Sequence, residues 1–195
     1  MFKTFFGVDT SPSEQLHAEL SGADQKIMED ILCSAATMFP FKITEAKIAL
    51  TYLFPRSYAE REIIVEEGDK SNLDYMLWVL DGEATFEGLV GGGASQPVTV
   101  TVLGAGSAIG IMSMVDSEPR SLRGVATVPT RCAKLTRAQL QKLCREHPQI
   151  GIKLMAVLCL VLSQTLRNLT TKYKCYVRLN NALNAELREQ DEPVL

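Results

Sequence analysis

Apolar residues along this 195-residue chain recur with two different periods, and the changes of period mark three parts. From about Ala23 to Met38, the residues Ile27, Ile31, Leu32 and Ala35 fall at helical spacing, and Pro40 stops the run. Ile43, Ala46, Ile48, Ala49, Tyr52 and Leu53 predict a second helix ending before Pro55, with no proper capping box at Thr44 and Lys47. The period then shortens. Residues 62–66, 76–80, 83–87 and 98–103 are β-rich and partly alternating, parted by Glu67-Gly68-Asp69, Asp81-Gly82 and Gly91-Gly92-Gly93. Arg123 to Leu135 adds two strands around Pro129. Short strands so spaced predict an antiparallel sandwich or jelly roll. The Gly91–Gly93 triplet reads as a hairpin tip, because no helix follows it as a phosphate loop requires. After Leu135 the pattern is helical again: Thr136 caps a helix over Ala138–Arg145, and Pro148 opens a long one. The fold class is α+β: N-terminal segment and helices over 1–55, a β-domain over 56–136, and C-terminal helices over 137–195.

The last helix carries a heptad. Met155, Leu162, Leu169, Tyr176 and Leu183 are each seven apart, and so are Cys159, Leu166, Tyr173, Asn180 and Leu187. Alternating steps of four and three place the first set at d and the second at a, with Asn180 at an a position that sets register and oligomeric state. Two arrangements use this stripe: a homodimer, or a monomer that lays it on its own β-domain. A stripe of ~32 residues is about 48 Å long, beyond the width of a small domain, and this favours the dimer.

Candidate chemistry concentrates in Gly104–Ala126, GAGSAIGIMSMVDSEPRSLRGVA. A glycine-punctuated turn leads to Gly110, Ile111–Val115 predicts one helical turn, and Pro119-Arg120-Ser121 opens a strand. Backbone N–H groups at such a turn, with an arginine downstream, suit an anion such as phosphate. A solvated arginine after a surface turn fits the same spacing. Composition narrows the classes. Hydrophobic residues at 46% and charged residues at 22% are ordinary for a globular protein, and a net charge of −3 argues against a mainly electrostatic grip on nucleic acid. Five scattered cysteines without a CxxC pair fit reduced thiols, and His17 and His147 alone exclude a histidine-rich metal centre. The N-terminal Phe2, Phe5 and Phe6 meet Asp9-Thr10-Ser11 too early for a signal-peptide core, and Met155–Leu162 is far shorter than a membrane span. A cytoplasmic protein is expected. The phenylalanines would dock on the domain, a partner or a membrane surface.

Several pieces in order carry a resemblance. They are Glu67-Gly68-Asp69, Trp78-Val79-Leu80-Asp81-Gly82-Glu83, Leu103-Gly104-Ala105-Gly106-Ser107, Gly110, Pro119-Arg120-Ser121 and Ala126. Together they resemble the cyclic nucleotide-binding domain family over roughly residues 45–185. The resemblance implies a β-roll, a dimerising C-terminal helix and a phosphate cassette of the form Phe-Gly-Glu-x-Ala-Leu followed by Pro-Arg-Ala/Ser. Carried onto this chain, the cassette falls on Ile109, Gly110, Ile111 (in place of the glutamate), Met112 and Ser113, then Arg120 and Ser121. Gly110 and Arg120 would meet a phosphate, while Ile111 replaces the carboxylate that takes a ribose hydroxyl. The phosphate half is kept and the ribose half is not, so cyclic AMP or cyclic GMP is expected to bind poorly or not at all, leaving another small anion or no ligand. Without a ligand, Asp116 or Glu118 would neutralise Arg120, since an unpaired buried guanidinium is costly. Arg123 would sit near the same site or lie exposed.

Three functions compete. The first is a sensor or regulatory module whose pocket alters paired long helices for a partner protein. The second is a structural or interaction module without a ligand. The third is a jelly-roll enzyme of the cupin type, opposed by His17 and His147 lying outside the strands. Direct DNA binding is not expected, since nothing fits a helix-turn-helix reader. Redox sensing by Cys132, Cys144, Cys159 or Cys175 competes with the ordinary burial of free cysteine, and haem ligation by His17 or His147 has no supporting neighbour.

Overall fold

A computed structural model describes residues 19–90 and 96–190. The Gly91–Gly93 triplet, the N-terminal phenylalanines and the side chain of Leu187 lie outside what it describes. Helices α1 (Gly22–Ser34) and α2 (Ile43–Leu50) precede the strands β1 (Phe54–Tyr58), β2 (Ile63–Val65), β3 (Tyr75–Asp81), β4 (Glu83–Val90), β5 (Gln96–Gly104) and β6 (Ala108–Ile109). The short helix α3 (Ile111–Asp116) leads to β7 (Arg123–Ala126) and β8 (Thr130–Thr136), and α4 (Arg137–Glu146) and α5 (Pro148–Gln190) follow. The strands form two four-stranded antiparallel sheets, ordered β1-β8-β3-β6 and β2-β7-β4-β5. This is a β-roll with helices at both ends.

Strand β3 explains how two cores share one sheet. Its run Met76-Leu77-Trp78-Val79-Leu80 is apolar on both faces, and all five residues are buried. Met76, Trp78 and Leu80 join the helix-side core with Met28, Leu32, Leu143, Leu154 and Leu158. Leu77 and Val79 face the other way, into the roll, with Tyr58, Phe86 and Ile109. Each such side chain contributes about 1.5–3 kcal/mol of transfer free energy, so a strand buried on both faces anchors both layers. Ion pairs fix the helices to this frame. Arg131 on β8 reaches Asp24 of α1 at 2.7 Å, and Lys153 of α5 reaches Glu45 of α2 at 2.7 Å.

Several expected boundaries shift. Helix α1 ends at Ser34 rather than Met38, and Met38 is 85% exposed. Pro40 disfavours helix in the residue before it, and the chain has already turned by then. Glu45 accepts a hydrogen bond from the Lys42 N–H, so α2 starts with one half of a capping box, which Thr44 and Lys47 do not suggest. Strand β1 was not expected, because Pro55 hides it. It lies at a sheet edge, where a missing N–H is tolerated. Thr136 Oγ1 accepts from Gln139 N, the cap expected for α4. Helix α5 spans 43 residues, and its first turns are core, through Ile150, Leu154, Val157 and Leu158. By length and composition alone one 18-residue window of α5 is apolar enough to cross a bilayer, a weak signal for a helix that begins as core.

Gly82 sits in the β3–β4 turn at φ +93°, and a Cβ there would lie 2.6 Å from both Pro129 O and Thr130 Oγ1. Replacing it with alanine combines left-handed strain with a clash against backbone. We expect Gly82→Ala to lower the unfolding free energy by at least about 2 kcal/mol, read from urea denaturation; an unchanged midpoint would contradict the packing of this turn.

Candidate ligand-binding site

Gly110 is where the chain passes from one core to the other. Ile109 faces the roll interior, and Ile111, 5% exposed, is packed in the helix-side core with Met114. The left-handed conformation of Gly110 (φ +80°) makes that reversal possible, and an added Cβ would overlap Nη1 of Arg120. Met112, on the opposite side of α3, is 56% exposed, and Ser121 is also exposed. Ser113 is buried.

Arg120 is 4% exposed, and its guanidinium makes three hydrogen bonds within the chain. Nη1 donates to Gly110 O at 3.0 Å, while Nη2 donates to Asn72 O at 2.7 Å and Tyr75 O at 3.0 Å. The group also lies 4.7 Å from the centroid of the Tyr75 ring. Its backbone is paired as well: Gly68 N donates to Arg120 O, and Arg120 N donates to Asp69 O. Thus the Gly68-Asp69 turn, the 72–75 loop and the start of α3 converge on one residue. The Ser71 hydroxyl and N–H hold the Asp69 carboxyl below the usual range, with the Asn72 amide and the Arg120 charge adding to this.

Two expectations are corrected. Asp116 and Glu118 do not neutralise Arg120; both are exposed, and Asp116 instead accepts from the Glu118 N–H. Three carbonyls accept its hydrogen bonds instead, solvating the buried cation without a second charge having to be desolvated. The strand also starts later than Pro119-Arg120-Ser121 suggested, at Arg123, since the backbone of Arg120 is committed to the Gly68-Asp69 turn. Arg123 makes charge contacts with Glu66 (3.4 Å) and Glu87 (4.0 Å), and its Nε has no hydrogen-bond partner.

Sequence reasoning missed Arg137. Its Nε donates to Met114 O at 2.7 Å and Nη2 to Ser113 O at 3.1 Å, occupying carbonyls at the end of α3. An arginine therefore holds each end of α3, one from before β7 and one from α4. Asn72 and Tyr75 were also missed. They contribute backbone carbonyls, which carry no side-chain signature, and the ring of Tyr75 comes beside Arg120 only in the folded chain. All five cysteines are free thiols; burial pushes Cys132 up to about 12 and raises Cys144, so neither is a ready thiolate. Among the described residues no group of three or more His, Cys, Asp and Glu could hold a metal.

The residues 55–147 match the family model described as the cyclic nucleotide-binding domain. A solved cyclic nucleotide-binding domain from Methylobacillus flagellatus is 30% identical over 77% of this chain and 84% of its own, with a TM-score of 0.69. The catabolite activator protein of Thermus thermophilus is 24% identical over 75% of this chain and 63% of its own, at 0.57. The regulatory domain of Toxoplasma gondii PKA, solved with cAMP, is 19% identical over 74% of this chain and 50% of its own, also at 0.57. No curated protein sequence matches significantly. The chain belongs to the cyclic nucleotide-binding domain family.

Because Arg120 satisfies three carbonyls of the fold itself, its loss costs stability even without ligand. Arg120→Ala is expected to destabilise the unliganded protein by about 3 kcal/mol or more, measured by urea unfolding. An unaltered stability would mean that the three bonds contribute nothing net.

Proposed function

We propose that this chain is a non-catalytic regulatory module of the cyclic nucleotide-binding type whose pocket is degenerate, and which signals in the cytoplasm through a homodimer to a partner protein. The observation that carries this reading is the engagement of Arg120 by Gly110 O, Asn72 O and Tyr75 O. An incoming phosphate would compete with those bonds for the guanidinium. Ile111 adds a second obstacle, since an apolar side chain there offers a ribose hydroxyl no acceptor. Losing one charge-assisted hydrogen bond, about 1.5–3 kcal/mol, weakens such a ligand by roughly one to two powers of ten. Isothermal calorimetry should therefore detect no micromolar binding of cyclic AMP or cyclic GMP, and a micromolar constant for either would refute the degenerate pocket. Native mass spectrometry tests for another small anion at Gly110 and Arg120.

The same three bonds favour a second reading, in which Gly110 and Arg120 serve only the fold and the chain is a structural or interaction module. Under it, no cyclic nucleotide or inorganic anion changes the chain's oligomeric state or stability at millimolar concentration.

The dimer reading is supported by exposure along the heptad. Met155 is 40% exposed, Leu166 67%, Leu169 50%, Tyr173 69%, Tyr176 68% and Leu183 50%; Cys159 and Asn180 are exposed and Leu162 half-buried. Apolar residues so exposed at an a/d repeat match a two-stranded coiled coil, with Asn180 facing its own copy in a parallel pair. Sedimentation equilibrium should give a dimer at micromolar concentration, and Leu169→Glu with Tyr173→Glu should give a folded monomer. Free thiols at all five cysteines support a reducing compartment.

A further inference from the structure

The free half of α5 carries charge of one sign only. Residues 1–147 hold 19 acidic and 14 basic side chains, whereas residues 148–185 hold five basic side chains and no acidic one. Two of the five are used within the chain: Lys153 pairs with Glu45, and Lys172 Nζ donates to Val100 O at 3.0 Å. The other three, Arg167, Lys174 and Arg178, are exposed, and their side chains form no hydrogen bond or ion pair with a described residue.

Their spacing puts all three on one line. Steps of seven and four residues are close to two turns and one turn of helix, so the cations form a stripe about 16 Å long, with gaps of about 10 Å and 6 Å. In the heptad that has Leu166 and Tyr173 at a, Arg167 and Lys174 are at b and Arg178 is at f, positions that point away from the a/d seam. The stripe therefore stays open when two α5 helices pair. Short side chains, Thr171, Ala182 and Ala185, share this face and leave room for a neighbouring backbone. A solvated helix face ordinarily alternates the sign of its charges, and like charges four apart, as at Lys174 and Arg178, destabilise a helix. This face carries a repulsion that an anionic partner would remove.

Three kinds of anionic surface differ in how they fit. A bilayer needs apolar side chains beside the cations, and on α5 Leu166, Leu169, Tyr173 and Tyr176 lie on the opposite side. A nucleic acid is a long polyanion, which the acidic excess of residues 1–147 would repel. An acidic helix rises by the same 1.5 Å per residue as α5. Carboxylates at i, i+4, i+7 and i+11 on it meet all three cations at once, in either direction. We infer that the outer face of α5, through Arg167, Lys174 and Arg178, docks an acidic helix of the partner protein. The inference rests on the reading above of a paired-helix module with a protein partner, and it supplies that partner's chemistry.

The probe is a stapled helical peptide of alanine and glutamine with glutamates at i, i+4, i+7 and i+11. It is titrated into the full chain at low ionic strength, where exposed ion pairs are least screened, and followed by backbone amide shifts around Arg167, Lys174 and Arg178. A peptide with the same four glutamates scattered around the helix should bind at least about fivefold more weakly, and so should the ordered peptide to the triple variant Arg167→Gln, Lys174→Gln, Arg178→Gln. Lys172→Gln, on the other side of α5, should leave the affinity unchanged, and circular dichroism confirms the fold of each variant. Equal binding of the two peptides, an equal loss in Lys172→Gln, or tighter binding of a DNA duplex or of phosphatidylserine vesicles at the same residues overturns the inference. Sedimentation equilibrium on the same samples separates it from the dimer reading: a dimer that ignores the ordered peptide refutes the docking stripe alone, and a monomer that binds it refutes the dimer alone.

Discussion

A single buried guanidinium holds the cassette together. Arg120 takes its backbone partners from the Gly68-Asp69 turn and its side-chain partners from Asn72, Tyr75 and Gly110. A buried cation needs hydrogen-bond partners, and three carbonyl oxygens supply them here without desolvating a second charge. Gly110 is tied to the same requirement. Its lack of a Cβ leaves room for Nη1, and its left-handed backbone sends Ile109 and Ile111 into different cores. The scattered glycines and acidic turn of the family pattern thus converge on one packing problem.

The second organising element is α3, clamped at its start by Arg120 and at its end by Arg137. Arg137 is the first residue of α4, which packs against α5. Arg137 thus ties α3 to α4, and α4 in turn packs on the base of α5.

Much of the architecture was legible in residue order. Strands with a strong apolar signal, such as Met76–Leu80, stand out because burial on both faces demands an unbroken apolar run. The caps of α4 and the reach of α5 follow from local rules at Thr136 and Pro148. Strand β1 escaped because Pro55 forbids a central strand and the edge position that permits it is a tertiary fact. The end of α1 escaped for a related reason: Ala35 and Met38 keep helical phase in sequence, but Met38 is left exposed.

The candidate site divides along the same line. Residue types and their order were enough to place a glycine, a helical turn and an arginine in one stretch, and the carboxylate expected at Ile111 came from the family resemblance alone. They could not say which atoms Arg120 would choose. Asp116 and Glu118 are its near neighbours in sequence, yet the carbonyls of Asn72 and Tyr75 are its neighbours in space. Every residue carries a carbonyl, so no local pattern marks the ones that will meet a guanidinium. Their positions emerge only when the 72–75 loop folds over the start of α3. Local rules write helices, turns and candidate chemistry into the chain; the pairing of a buried charge with distant backbone is written by packing.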